Sequence, residues 1–209
     1  MISKTVFLLL FSATVFAQEN DSLQVQEKKI FKFEETFSMY YVVANQSGNH
    51  TLAKDYSNRF GFGSRLTLFS LAKFNLGAGG EYVTYSVSNQ SNAGNFNKGT
   101  YKNFFFLVNY PIQVAPRFTL TPVAAIGALQ FTQRQRGIRH SHQEGINYRI
   151  GVSADYEVAP EMDLFLGLEF IDTRFNLNAN PEIFDYYGKS KNLQMSIGIR
   201  FKTAKKKAK

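Results

Sequence analysis

The chain has 209 residues and a formal net charge of +8, with neither cysteine nor tryptophan. The lack of cysteine excludes a disulfide framework, so the fold must be stabilised by other means. Phe and Tyr make up 15% of the residues and charged residues only 19%, and no stretch of the mature chain approaches the roughly 18 consecutive apolar residues that identify a membrane helix. This composition suits strands that are apolar on one face only.

The N-terminus has the pattern of a secretory signal. Lys4 precedes an apolar run over residues 6–11, and Val15-Phe16-Ala17 provides the small-residue end that a signal peptidase requires. A membrane anchor is the alternative, but spanning takes roughly 20 apolar residues, and polar residues follow directly. We predict that residues 1–17 are a removed signal peptide and that the aperiodic, polar residues 18–32 form a flexible N-terminal arm.

Eight stretches alternate apolar and polar residues with a period of two, which is typical of β-strands with one apolar face. They cover residues 33–44, 59–70, 74–87, 101–112, 118–132, 147–158, 162–170 and 192–201. The clearest of them turns through Ala159-Pro160-Glu161 into the next, which predicts an antiparallel hairpin. The connections alternate in length, and long polar segments are predicted as loops at 45–58, 89–100, 133–145 and 176–190. The fold class is therefore all-β.

A period of two fits two kinds of barrel, a soluble one with apolar residues inside and an outer-membrane one with apolar residues toward lipid. The polar face of the strands distinguishes them, because it combines charges at mid-strand with many glycines. These glycines are Gly61, Gly63, Gly77, Gly79, Gly151, Gly167 and Gly198. Glycine weakens a water-exposed strand, whereas small residues beside large charged ones let a narrow lumen fill. We predict an eight-stranded antiparallel up-and-down transmembrane β-barrel over residues 33–201, with a soluble periplasmic, lipocalin-like ligand-binding barrel as the alternative.

These features together resemble the small OmpA/OmpX-type outer-membrane barrels of Gram-negative bacteria. The resemblance rests on the signal peptide, the eight alternating strands, the asymmetric connections and the last strand, LQMSIGIRF, which ends at Phe201. It implies residence in the outer membrane and insertion by the barrel-assembly machinery, which reads a terminal aromatic residue. The basic tail, residues 202–209, departs from the family pattern by extending past Phe201.

The charges at mid-strand predict a network inside the barrel. Eight strands enclose a lumen just wide enough to be filled by side chains, which disfavours a porin, and unpaired charges there would be very costly. The network is predicted to contain Arg65, Glu81, Arg149, Asp155, Glu169, Arg200 and Glu34, with Arg200 near Glu34 where the last strand meets the first. We expect it to plug the lumen, and a gate for ions or small solutes is the alternative.

The third long segment, QRQRGIRHSHQEG, is rich in arginine. Arg134, Arg136 and Arg139 stand where the phosphates of lipopolysaccharide would lie, and a guanidinium binds phosphate through two parallel hydrogen bonds. The segment therefore predicts contact with lipopolysaccharide.

The same segment holds the residue types of a hydrolytic or metal site, namely His140, Ser141, His142 and Glu144. A lipid A-modifying enzyme is thus a competing hypothesis, although proximity in sequence does not produce the geometry of a base beside a nucleophile. We predict no catalytic residue, metal or cofactor, and no nucleic-acid partner, because the exported chain has no recognition motif. The predicted function is a non-enzymatic structural or surface-interaction role, with an unidentified partner at the outward loops.

Overall fold

A computed structural model describes residues 31–93, 96–136 and 138–202. The predicted signal peptide and nearly all of the basic tail lie outside these residues. The strands are β1 (Phe31–Ser47), β2 (Tyr56–Leu71), β3 (Phe74–Val87), β4 (Lys98–Asn109), β5 (Ile112–Ala115), β6 (Phe118–Gln135), β7 (Ile138–Ala159), β8 (Met162–Phe175) and β9 (Lys189–Lys202). Three short helices lie in the long connections: α1 (Thr51–Lys54), α2 (Gln90–Ala93) and α3 (Pro181–Tyr187). Over the described ranges, no helix has the length and apolar character needed to cross a membrane.

The strands form one closed antiparallel sheet. Its order is β4-β3-β2-β1-β9-β8-β7-β6-β5, and β4 also pairs with β6, which closes the ring. The short β5 continues the line of β4 beyond Pro111 and pairs with the start of β6, so the ring has eight strands. Closure pairs each strand of the ring on both sides. A barrel thereby satisfies its backbone hydrogen-bonding groups and leaves no exposed sheet edge. The predicted eight-stranded antiparallel barrel is confirmed.

The two faces of the barrel have the polarity expected of a barrel in lipid. On β1, Met39 and Val43 are exposed, whereas Ser38 and Tyr40 on the other parity are buried. The most exposed apolar side chains include Phe106, at 63%. A soluble barrel would present polar residues outside and apolar ones inside. The outer surface here is instead an apolar belt suited to acyl chains.

Several strands extend beyond the predicted stretches at both ends. β1 begins at Phe31, inside the predicted N-terminal arm. The prediction of a loop over residues 133–145 is wrong, because these residues form the far part of the β6–β7 hairpin, in which Gln133 pairs with Ser141. Arg136 occupies the turn with a φ of 47°. This part of the hairpin has no apolar face, so period-two hydrophobicity could not reveal it.

The two ends of the barrel differ. The short-turn end carries the connections around residues 72–73, 116–117 and 160–161, and the loop end carries the three helices and the turn of the β6–β7 hairpin. Ala72 and Arg117 adopt positive φ angles of 57° and 67° in the short turns. Tight two-residue reversals between twisted strands favour such left-handed conformations.

Candidate functional site: the lumen, the cap and the outer rim

Four buried charges meet at the middle of the lumen, and we call them the central charge cluster. Arg149 contacts Glu81 through two parallel hydrogen bonds, with Nη1–Oε1 at 2.8 Å and Nη2–Oε2 at 2.5 Å. Arg65 donates to Glu169. The distances between oppositely charged groups on neighbouring strands are longer, at 3.8 Å for Arg65–Glu81 and 3.5 Å for Arg149–Glu169. None of the four side chains is more than 9% exposed. The cluster thus holds two positive and two negative charges away from water.

Neutral groups complete the hydrogen bonds of this cluster. The hydroxyl of Tyr40 donates to Oε1 of Glu81 over 2.8 Å and accepts from Nε of Arg65 over 3.1 Å. The amide of Gln194 donates to the same oxygen of Glu81 over 2.9 Å. Buried ion pairs persist only where such additional bonds satisfy the remaining donors and acceptors. The sequence prediction missed both residues, although each lies on the polar parity of its strand, where it could have been noticed.

Aromatic rings fill the space that glycines leave in the wall. A Cβ on Gly63 would overlap the ring of Tyr40, and a Cβ on Gly79 would lie 2.5 Å from Cζ of Phe105. The Phe105 ring in turn lies under the guanidinium of Arg149, 4.4 Å from its Cζ. The glycines on the polar parity therefore make room for rings that support the charges.

A second, smaller group of charges lies toward the short-turn end. Arg200 forms a salt bridge of 2.9 Å with Asp155, and Thr121 donates to the same carboxylate over 2.7 Å. Nε of Arg200 donates to the hydroxyl of Ser38 over 3.3 Å. The side chain of Glu34, the predicted neighbour of Arg200, lies outside the described side chains. The described charges of the predicted network thus form two groups, and among the described side chains Arg200 forms its salt bridge with Asp155.

The lumen becomes apolar toward the loop end. Val83 and Phe131 belong to a buried cluster that also includes Leu52 of α1 and Ala93 of α2. Phe131 packs edge-on against Phe175, with ring centroids 6.2 Å apart. Two of the long connections therefore insert side chains into the end of the barrel instead of extending away from it.

One buried carboxylate joins three of the long connections, and we call these joined segments the cap. Asp55 is fully buried, and its carboxylate accepts from Thr51 Oγ1 over 2.9 Å, Tyr186 Oη over 2.9 Å and Asn92 Nδ2 over 3.3 Å. Its backbone oxygen accepts from the amide of Ser88 over 2.8 Å. All of these donors are neutral. The cap is thus held to Asp55 by hydrogen bonds and by no ion pair among the described residues.

The three predicted lipopolysaccharide-contacting arginines lie at or near the far end of the β6–β7 hairpin. Arg134 is exposed and directly opposite Lys98 of β4. Arg136 is exposed at the turn. The side chain of Arg139 lies outside the described side chains. Lys98 was not singled out from the sequence, because only the β4–β6 register brings it beside Arg134.

The residues of the hydrolytic hypothesis do not converge. Ser141 and Glu144 have opposite parities on β7, so their side chains point to opposite faces of the sheet. His142 and Glu144 are exposed on the outer face, and the side chain of His140 lies outside the described side chains. In the described part of the chain, no three His, Cys, Asp or Glu side chains group in a way that would hold a metal ion.

Comparison with known proteins finds solved structures of similar fold. No family model and no curated protein matches the chain. Among solved structures, Neisserial surface protein A matches with a TM-score of 0.56 and 14% identity, covering 81% of this chain and 97% of that one. The outer membrane protein AlkL, solved in lipid bilayers, matches with a TM-score of 0.52 and 10% identity over 91% and 100% of the two chains.

A major outer membrane protein from Thermus thermophilus matches with a TM-score of 0.51 and 13% identity, covering 81% of this chain and 99% of that one. These similarities extend over nearly the whole of each relative, and the shared element is the closed eight-stranded ring. The chain therefore has the fold of the small OmpA/OmpX-type outer-membrane β-barrels.

Proposed function

We propose that the protein is a non-enzymatic outer-membrane barrel whose lumen is closed by its own side chains, with a structural or surface-interaction role at the loop end. The observation that carries this proposal is the position of the central charge cluster. Arg65 and Glu81 extend from β2 and β3, whereas Arg149 and Glu169 extend from β7 and β8, so the Arg65–Glu169 and Arg149–Glu81 pairs each join strands three places apart in the ring of eight. The ion pairs therefore bridge opposite walls of the barrel.

Passage of an ion through such a lumen would require the bridge to open. Removing one partner of a buried ion pair leaves a charge whose desolvation is uncompensated, at roughly 3–5 kcal/mol. The Arg200–Asp155 salt bridge stands on one side of the bridge and the apolar cluster around Phe131 on the other. Three consecutive layers of different chemistry thus oppose conduction.

The closed lumen is tested by electrical recording from the purified protein in planar bilayers. The native protein is expected to give no steady single-channel conductance. The double variant Glu81→Ala/Arg149→Ala removes both side chains of the closest bridging pair but leaves the Arg200–Asp155 salt bridge and the apolar cluster in place, so it is expected to give at most brief openings. Asp185→Ala, an exposed substitution on α3, is the control and should behave as the native protein. Steady conductance by the native protein would contradict the proposal.

Residence in the outer membrane is part of the same proposal, and the apolar belt supports it. Fractionation followed by electrophoresis of boiled and unboiled samples tests it, because a closed barrel resists detergent and migrates differently until it is heated. We expect recovery with the outer membrane and a mobility shift on boiling. A periplasmic protein that needs no detergent would contradict the proposal and favour the soluble ligand-binding alternative.

The proposal includes two kinds of partner. Lipopolysaccharide is proposed to contact the β6–β7 hairpin at Arg134, Arg136 and Arg139, and the exposure of Arg134 and Arg136 supports this contact. The barrel-assembly machinery is proposed to read the last strand, in which Phe201 is exposed on the outer face. A further, unidentified partner at the cap completes the proposed surface role.

A further inference from the structure

Two cations face each other across neighbouring strands on the outer wall of the barrel. Lys98 of β4 and Arg134 of β6 are direct register partners, and both are exposed. Like charges in direct opposition destabilise a sheet. Neither residue takes part in any ion pair between described residues. Within the described part of the chain, no ion pair compensates these two positive charges.

Three other cations on the outer face at the loop end each have a carboxylate nearby, although two of them, Arg174 and Lys189, are also register partners. Lys189 contacts Asp185, with Nζ–Oδ1 at 2.5 Å. Arg174 lies 4.0 Å from Asp172, and Lys191 is the register partner of that same aspartate. Each of these cations therefore has a carboxylate beside it or directly opposite. The Lys98–Arg134 pair differs from them, because no described carboxylate is an ion-pair or register partner of either residue.

The pair borders a cavity of about 500 Å³ on the outer wall. Its lining also includes Phe60, Thr84 and Asn97. Thr84 faces outward, because its neighbours Val83 and Tyr85 both belong to the buried cluster of the lumen. Thr100 and Thr132, which pair with each other at the same level of the sheet as Thr84, are also nearly fully buried. The cavity thus combines two cations with hydroxyl-bearing and aromatic side chains.

The cavity lies just beyond the apolar belt. Along β4, Phe106 and Phe104 are exposed, and Lys102 and then Lys98 follow on the same parity toward the loop end. At roughly 3.3 Å per residue, Lys102 lies about 7 Å and Lys98 about 20 Å along the tilted strand from Phe104. Charged headgroups of a lipid whose acyl chains cover Phe104 and Phe106 would meet these two lysines in turn.

We propose that this cavity is a binding site for a phosphate group of an outer-leaflet glycolipid, held by Arg134 and Lys98. Arginine offers a planar fork that matches two phosphate oxygens, and lysine adds a compact charge. Lys102 lies where a second anionic group nearer the acyl chains would be, and Phe60 offers an apolar surface beside the site. The inference rests on the proposed residence in the outer membrane and names the lipid site within that function.

Native mass spectrometry of the full chain in a zwitterionic detergent measures this binding directly. The probes are bis-phosphorylated lipid A, the same lipid A after enzymatic dephosphorylation, and inorganic phosphate. The native protein is expected to retain one bis-phosphorylated molecule and to bind the dephosphorylated one at least about tenfold more weakly, because a charge-assisted hydrogen bond contributes on the order of one decade of affinity. Equal binding of the two lipids would overturn the proposal.

The variants assign the binding to the cavity. Lys98→Gln/Arg134→Gln is expected to weaken binding of bis-phosphorylated lipid A by about tenfold or more. The control is Lys191→Gln, which removes the same charge four strands around the ring and should leave binding unchanged. Unchanged binding by the double variant would overturn the proposal, as would an equal loss in the control. Displacement of the lipid by millimolar inorganic phosphate would assign the site to a free anion and overturn the commitment to a lipid.

Two further measurements keep the test independent of folding. Lys98→Gln alone relieves the opposed charges, so in lipid-free detergent its melting temperature should equal or exceed that of the native protein. A lower melting temperature would contradict an electrostatic role for the pair. If the double variant does not insert into the membrane, the two single variants are used for the binding measurement instead. The variants at Lys98, Arg134 and Lys191 are all expected to keep the heat-modifiable shift and to remain non-conducting. A native protein that conducts or shows no mobility shift would overturn the proposed closed barrel. Loss of lipid binding alone would overturn this site and the proposed lipopolysaccharide contact at Arg134, and would leave the closed barrel standing.

Discussion

The molecule buries polar groups in two regions that are built in opposite ways. The central charge cluster combines two arginines with two glutamates, and each charge extends from a strand whose backbone is paired on both sides. The cap buries a single carboxylate, Asp55, among neutral donors on three connections. A charge fixed in the ring has no route to water when its partner is lost, whereas a connection can undock and expose its charge. Damage to the first region should therefore affect the barrel, and damage to the second should affect only the cap.

The largest effect is expected from Glu81→Gln, which removes one charge from the cluster. Arg149 then stays buried without its bidentate partner, at an expected loss of about 3–5 kcal/mol in the free energy of unfolding. Urea unfolding in detergent, followed by the mobility shift of unboiled samples, measures this loss. The double variant Glu81→Gln/Arg149→Met removes both charges of the pair and should recover part of the stability. If Glu81→Gln unfolds at the native urea concentration, the ion pairs are not what holds the centre of the lumen.

A smaller and more local effect is expected from Asp55→Asn. The variant loses hydrogen bonds to a charged acceptor, which contribute roughly 1.5–3 kcal/mol where they are buried, and this loss should undock the cap. Limited proteolysis should then cleave the connections around residues 88–97 and 176–188 faster, while the heat-modifiable shift of the barrel stays unchanged.

Asp185→Asn is the matched control for the cap. It removes an exposed carboxylate whose salt bridge with Lys189 contributes little, because both side chains are largely in water. Its proteolysis should match that of the native protein. A weakened barrel in Asp55→Asn would show that the two regions are not independent.

Packing around the cluster is tested by Gly63→Ala. The added methyl would overlap the ring of Tyr40, so either the ring or the wall must move, which typically costs about 1–3 kcal/mol. Gly80→Ala is the control on β3, because a Cβ there would meet only a backbone oxygen at 3.6 Å. Unfolding in urea should separate the two variants. Equal stability would mean that the glycines do not make room for the rings.

The sequence predicted the ring well and the contacts inside it only in part. The β7–β8 hairpin, with its turn at Pro160, follows directly from period-two alternation, and that pattern also assigned the glycine-bearing face to the lumen. The pairing of Arg149 with Glu81 is different, because it joins strands on opposite walls. Which charges meet across a lumen depends on the tilt and stagger of the whole ring, and no local pattern encodes these.

The loop end was the least predictable region, for a physical reason. Beyond the apolar belt both faces of a strand contact polar surroundings, so the β6–β7 hairpin continues through residues 133–136 and 138–145 without hydrophobic alternation. Asp55 lies in an aperiodic segment, and its donors Asn92 and Tyr186 come from two other connections. Nothing in the sequence marks a carboxylate whose partners are distant and neutral.

The smallest expected effect concerns His50, which ties the start of the cap to β9. Its Nε2 lies 2.8 Å from the backbone oxygen of Ser47 and 3.2 Å from the backbone nitrogen of Lys191. Burial lowers the pKa of His50 below its ordinary value, and the positive charge of Lys191 acts in the same direction. In an undocked cap, His50 has its ordinary, higher pKa. The undocked form therefore binds more protons than the docked form once the pH falls below about 6.5. Docking should therefore be strongest above that pH and weaken on acidification until the docked form is also protonated.

Hydrogen exchange of the amides in 51–55, corrected for intrinsic rates, measures this dependence between about pH 7.5 and about pH 5. Protection should fall with pH in the native protein and much less in His50→Gln, whose side chain keeps hydrogen-bonding capacity but does not titrate. Amides at the centre of β8 serve as the internal control and should show no such change. If His50→Gln keeps the full dependence, the titrating group is not His50, and proton uptake by this side chain does not couple to cap opening.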